Sequence, residues 1–267
     1  MYAKFFLITQ LFAGSFFVWR HLIKRRFERK PFLDVTGGPR ANWHSAVELA
    51  VVYVALLWAI TNLLPQFVMV TPKQPTTIEL RDVALDSGIK LVMTIALTLL
   101  LVSGRRPSAA VGMTMSNLRN QLTVGTGGFF AAVIPMAIFM AISASFRKQE
   151  NQHALLKLVN EAPNFITIAV VAGAAVVSAP LLEELIFRVI LQGWLTTFFR
   201  PTLAIGTVAV LFSLVHGWRD GFALLPLALI LGYVFDRRHS YLTVVVIHAL
   251  FNATMLTLQL LGKQNSI

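Results

Sequence analysis

The chain alternates long apolar runs with short polar joints. Apolar segments lie near 5–19, 49–70, 88–104, 121–146, 163–180, 181–199, 201–217, 221–236 and 241–261. A helix crosses a bilayer with about 20 consecutive apolar residues. Leu49–Val70, Gln121–Phe146 and Ala162–Leu182 each reach that length without a charge. The pattern predicts an all-α, polytopic transmembrane bundle of about eight helices. Eight replaces nine because segments 163–180 and 181–199 meet at Pro180, so one of them is a kinked or partial span. The joints carry turn residues such as Gly37-Gly38-Pro39 and Pro72-Lys73-Gln74-Pro75. Residues 151–160 read equally well as a helix lying in the interface and as a solvated loop.

Composition agrees with this pattern. Hydrophobic residues make up 56% of the 267 positions and charged residues 13%. Soluble domains carry about a quarter charged residues, so much of this surface must face lipid. Phe5–Trp19 is short enough for a signal-peptide core, but RHLIKRRFERK follows it with no small-residue cleavage site. It reads as a retained first helix or signal anchor. The chain has no cysteine, which excludes disulfides, thiolate nucleophiles and cysteine metal sites.

The net charge of +11 points to lipid rather than nucleic acid once its distribution is considered. Arg20, Lys24, Arg25, Arg26, Arg29, Lys30 and Arg40 crowd one joint, which marks a cytosolic loop and a contact for anionic lipid. Arg105, Arg106 and Arg119 mark the same side two helices later. The mixed loop 147–161 falls opposite. The expected location is a multi-pass membrane protein of a bacterial cytoplasmic membrane or an ER-type membrane.

The two halves differ in where charge sits. Residues 1–160 hold most charges in joints. Residues 161–262 place ionisable groups inside apolar runs, where each costs about 2.5–3.5 kcal/mol on insertion scales. Glu184 and Arg188 are four apart and share a helix face, so they can pair. Glu183 lies about 100° round and lacks that partner, which suits a general base. The competing reading puts both carboxylates at a helix N-terminus after Pro180. Phe212 and His216 are four apart, as are His248 and Asn252. His216 near the end of one helix should lie at the depth of Glu183 on its antiparallel neighbour. His248 fits that depth less well, unless its helix is tilted or broken. A plain helix–helix hydrogen bond is the alternative role for His248 and Asn252.

Glu183-Glu184-Leu-Ile-Phe-Arg188, Phe212-Ser-Leu-Val-His216 and His248-Ala-Leu-Phe-Asn252 resemble the EExxxR, FxxxH and HxxxN motifs of the CPBP family. These are CAAX-protease and bacteriocin-processing intramembrane proteases. The resemblance covers about residues 163–260 and includes LGYVFDRR around Gly232 and Tyr233. Val189 departs from the glycine often found after the motif arginine.

The resemblance implies a membrane-embedded endopeptidase. Glu183 would be the general base, and His216 would help to orient and deprotonate a water. His248 and Asn252 would donate to the oxyanion. Glu184, Arg188 and Phe212 would support the site. No cofactor is favoured. A zinc ion held by Glu183, His216 and His248 is chemically acceptable, but the sequence lacks a closely spaced ligand pair such as HExxH. The expected partner is a membrane-associated peptide or protein, prenylated or not. The competing classes are a non-proteolytic scaffold or toxin-immunity factor on the same fold and a proton-coupled transporter.

Overall fold

The structure is a computed structural model that describes residues 2–36, 43–67, 79–103, 108–144, 158–159, 161 and 164–263. The 151–160 segment and the two glycine- and proline-rich joints fall outside these residues, apart from Leu158 and Val159. Eight helices run through the described chain, with no strand among the described residues. In lipid the backbone must satisfy its own hydrogen bonds, which a helix does within one segment.

The helices are α1 (Tyr2–Phe27), α2 (Ala46–Leu63), α3 (Leu80–Ser103) and α4 (Leu118–Ala144), followed by α5 (Phe165–Leu195), α6 (Pro201–Val215), α7 (Trp218–Arg238) and α8 (Tyr241–Lys263). Six of them are long and apolar enough to span a membrane: α1 to α5 and α8. α6, with 15 residues, is shorter. The molecule is therefore a multi-pass integral membrane protein.

Local sequence explains where helices start. α2 opens on a capping box, in which Ser45 Oγ accepts from the Glu48 amide and Glu48 Oε2 accepts from the Ser45 amide. At α5, Asn164 Oδ1 accepts from the Thr167 amide at 2.9 Å.

One expectation is corrected. Segments 163–180 and 181–199 are a single helix, not two meeting at Pro180. Proline removes an amide hydrogen and crowds the carbonyl four residues back. The chain absorbs this by widening over Gly173–Ser178 into π-helical turns, where the Ala179 amide reaches back five residues to the Ala174 carbonyl. A second π segment, Leu185–Gln192, follows at once, and Gly193 closes it by donating to the Arg188 and Ile190 carbonyls.

The first half of the chain packs onto the second. α4 lies against α7 and α8, and glycines set the approach: a Cβ at Gly125 would stand 2.8 Å from Val246, and one at Gly128 would stand 2.5 Å from Ile247. α1 rests on α4, where Trp19 Nε1 donates to the Ala131 carbonyl at 3.0 Å. At one end, the segment after α1 is clasped by the end of α7. Tyr233 Oη accepts from the Leu33 amide, Arg237 Nε donates to the Leu33 carbonyl, and Arg238 Nη1 donates to Thr36 Oγ1. The α7–α8 turn, at left-handed His239, takes the 108–112 segment at the same end, through His239 Nε2 to the Ala110 carbonyl and the Tyr241 amide to the Gly112 carbonyl. The described parts of these two joints, 28–36 and 108–112, thus meet the two ends of the α7–α8 turn on one side.

Candidate active site

Glu183 and Glu184 sit on α5 between the two π segments. Glu184 is fully buried and faces Arg188 and His248. Its Oε2 lies 3.2 Å from Arg188 Nε, and its Oε1 lies 2.7 Å from His248 Nδ1. Arg188 is also fully buried, and its three guanidinium nitrogens lack a hydrogen-bond partner, so the pair with Glu184 is Coulombic in character. The guanidinium lies over the Phe212 ring at 4.5 Å and beside the Phe187 ring at 5.8 Å. Those ring faces offset part of its lost hydration.

Glu183 faces the other way, toward α6 and α8. Its Oε2 lies 3.5 Å from His216 Nε2 and 4.0 Å from His248 Nε2. His216 sits just past the end of α6, at φ −87° and ψ 6°, and the next residue, Gly217, has φ +88°. A left-handed residue ends α6 abruptly, so the imidazole projects from a turn and not from a regular helix. His216 Nδ1 lies 2.7 Å from the Phe212 carbonyl. An acceptor at Nδ1 places the neutral ring's proton there and leaves Nε2 with its lone pair toward Glu183. Glu184 imposes the same tautomer on neutral His248. Phe212 is the common wall, with ring centroids 4.6 Å from His216 and 5.7 Å from His248.

The depth mismatch expected for His248 does not keep it away. α7 descends about 30 Å at 1.5 Å per residue, while His248 climbs back only about 10 Å along α8. Parallel axes would hold the two imidazoles well apart, so the helices must be inclined to bring both rings to Phe212. Asn252 stands one turn beyond His248, and its Nδ2 donates to the Ala175 carbonyl at 2.7 Å. It holds α8 to the first π segment of α5 and leaves its second amide hydrogen for another acceptor.

Exposure falls inward across the site. The side chain of His216 is 26% exposed, that of Glu183 12%, that of His248 5% and that of Glu184 zero. Glu183 and the two imidazoles are donor types that zinc accepts. Among the described residues, however, no set of three or more His, Asp or Glu is arranged as metal ligands.

The sequence reading missed a contribution from α3. Ser87 Oγ donates to Ser178 Oγ at 2.9 Å, and Lys90 pairs with Asp86 at 2.7 Å in the same helix. α3 packs against the Ala179–Glu184 stretch of α5. The signal was present: Asp86 and Lys90 are four apart and lead into the apolar run at 88–104.

Among comparisons with known proteins, residues 165–254 match the family model described as type II CAAX prenyl endopeptidase Rce1-like. No curated protein and no solved structure matches the chain. The matched stretch contains Glu183, Glu184, Arg188, Phe212, His216, His248 and Asn252, and it ends within α8. Over residues 165–254, about a third of its length, the chain is similar to the Rce1-like family.

Proposed function

We propose that this protein is an intramembrane endopeptidase in which Glu183 and His216 activate a water against a peptide bond of a membrane-associated substrate. The observation that supports this reading most is the approach of one carboxylate oxygen to two imidazole nitrogens from different helices, at 3.5 and 4.0 Å. A water between Glu183 Oε2 and His216 Nε2 meets two acceptors, so its proton can pass to either as its oxygen attacks the carbonyl carbon.

The carbonyl oxygen then becomes an oxyanion. His248, protonated on both nitrogens, would donate to it from Nε2 while Glu184 holds Nδ1. In that state Glu183 and Glu184 balance Arg188 and His248, and the buried cluster carries no net charge. The second amide hydrogen of Asn252 is the other candidate donor. Collapse of the intermediate breaks the C–N bond, and the proton taken from water goes to the leaving amine. Glu184, Arg188 and Phe212 position the rest.

The working mechanism is metal-free. Measured metal content in purified protein, set against activity after chelation, separates it from a zinc-dependent variant. In the main test, Glu183→Gln and His216→Ala are assayed for cleavage of membrane-anchored peptides in proteoliposomes. Each substitution is expected to cut the rate by at least about 100-fold, the usual contribution of a positioned acid–base group. Full cleavage by both variants overturns the roles of Glu183 and His216, whereas no cleavage by the wild type leaves the non-proteolytic scaffold in its place. A prenylated C-terminal substrate is one member of the class to be screened.

A further inference from the structure

The family match begins at residue 165, so it does not cover the charged pair on α3. Asp86 and Lys90 lie two and three turns into a helix that is otherwise apolar enough to span the membrane. Ionisable groups at such depth face protein or water, not lipid. Their exposure is graded: the Asp86 side chain is 58% exposed and that of Lys90 24%. Glu183 continues the series at 12% and Glu184 ends it at zero. The two helices that carry these groups pack together, α3 against the Ala179–Glu184 stretch of α5.

The Ser87–Ser178 hydrogen bond, at 2.9 Å, fixes α3 to α5 one turn before Lys90 and five residues before Glu183. Lys90 is three residues beyond Ser87 and so shares its face toward α5, where α3 packs along the Ala179–Glu184 stretch. An ammonium has three donors and no acceptor. Asp86 takes one, at 2.7 Å. That partner is mostly exposed, so the remaining donors can reach a second anion at the threshold of the site.

We infer that Lys90 is a substrate-binding residue that anchors a carboxylate of the peptide beside the scissile bond. This rests on the endopeptidase reading above and deepens it: the favoured substrate carries an anion a few residues from the cleaved bond. The carboxylate can be a free C-terminus or an acidic side chain. A neutral peptide would leave the second anion site of Lys90 unfilled and would bind more weakly.

The test is equilibrium binding of fluorescent lipidated peptides to the full chain in nanodiscs, read by anisotropy and independent of turnover. One peptide has a free C-terminus, a second is C-terminally amidated, and a third is amidated but carries a glutamate near its end. Wild type is expected to bind at least one carboxylate-bearing peptide about tenfold more tightly than the plain amide. The preferred peptide tells which source supplies the carboxylate. Lys90→Gln should bring that ratio close to one, and Lys90→Arg should restore it. The Lys90→Gln/Asp86→Asn pair, which removes both charges, should behave like Lys90→Gln and controls for an orphaned Asp86. Thermal unfolding of each variant checks folding. Equal binding of acid and amide peptides by wild type overturns the inference, as does a preference that survives Lys90→Gln in a folded protein. Carboxylate-selective binding without any cleavage would leave Lys90 in its role and sink the protease reading instead.

Discussion

At the residue scale the costliest group is Arg188. A buried guanidinium without hydrogen bonds survives because Glu184 lies 3.2 Å away and the Phe212 ring lies beneath it at 4.5 Å. Removing one member of a buried pair strands the other and costs about 3–5 kcal/mol. Arg188→Ala should therefore lower stability by about that amount, as measured by denaturant unfolding in micelles. Arg188→Lys should recover only part of it, because a point charge does not stack on an aromatic face as a planar guanidinium does. This pairing was legible in the sequence: spacing alone puts Glu184 and Arg188 on one face. The separate orientation of Glu183 was legible too, as its distance from His216 reflects. The bond from Asn252 to the Ala175 carbonyl was not legible. It depends on a π-helical widening that no residue type announces, and periodicity counted at 3.6 residues per turn cannot locate it.

At the element scale the decisive feature is the joint between α6 and α7. His216 projects from a turn closed by left-handed Gly217, and four residues on, Gly221 packs against the backbone of Ser213. A Cβ at Gly221 would collide with the Ser213 carbonyl, which cannot swing aside as a flexible side chain can. Gly221→Ala should push α7 from α6, displace His216 from Glu183 and cut cleavage by about tenfold or more. Loss of that scale follows when a catalytic group is misplaced by about 1 Å. The readout is the cleavage rate at saturating substrate, with thermal unfolding to confirm a folded bundle; unchanged turnover would contradict it. The sequence showed where helices begin and end to within a few residues, since apolar runs and caps report this directly. It misread α5 as two pieces, because a proline inside an apolar run looks the same whether the helix breaks or widens around it.

At the scale of the whole molecule, the matched region is not self-sufficient. α4 lies against α7 and α8, and Gly125 and Gly128 allow the contact with Val246 and Ile247, neighbours of His248. Gly128→Val adds bulk where a Cβ alone would already stand 2.5 Å from Ile247. Without a hydrophobic drive between helices in lipid, such close packing is a main source of association. The variant should unfold at a lower temperature than wild type in the same detergent. It should also lose activity because α8 carries His248 away from Glu184. The all-helical architecture and the weight of chemistry in residues 161–262 were readable from hydropathy and embedded charge. That the first half braces α8 and packs α3 along the Ala179–Glu184 stretch was not, because sequence carries no record of which helices touch.

α6 is 15 residues long, about 22 Å at 1.5 Å per residue, whereas a hydrocarbon core measures about 30 Å. Its final carbonyls and the His216–Gly217 turn therefore end among acyl chains unless water follows them in or the leaflet dips to meet them. A thinner leaflet hydrates the Glu183–His216 pair and a thicker one dries it, so under the proposed mechanism acyl-chain length would act on turnover as directly as a change of residue.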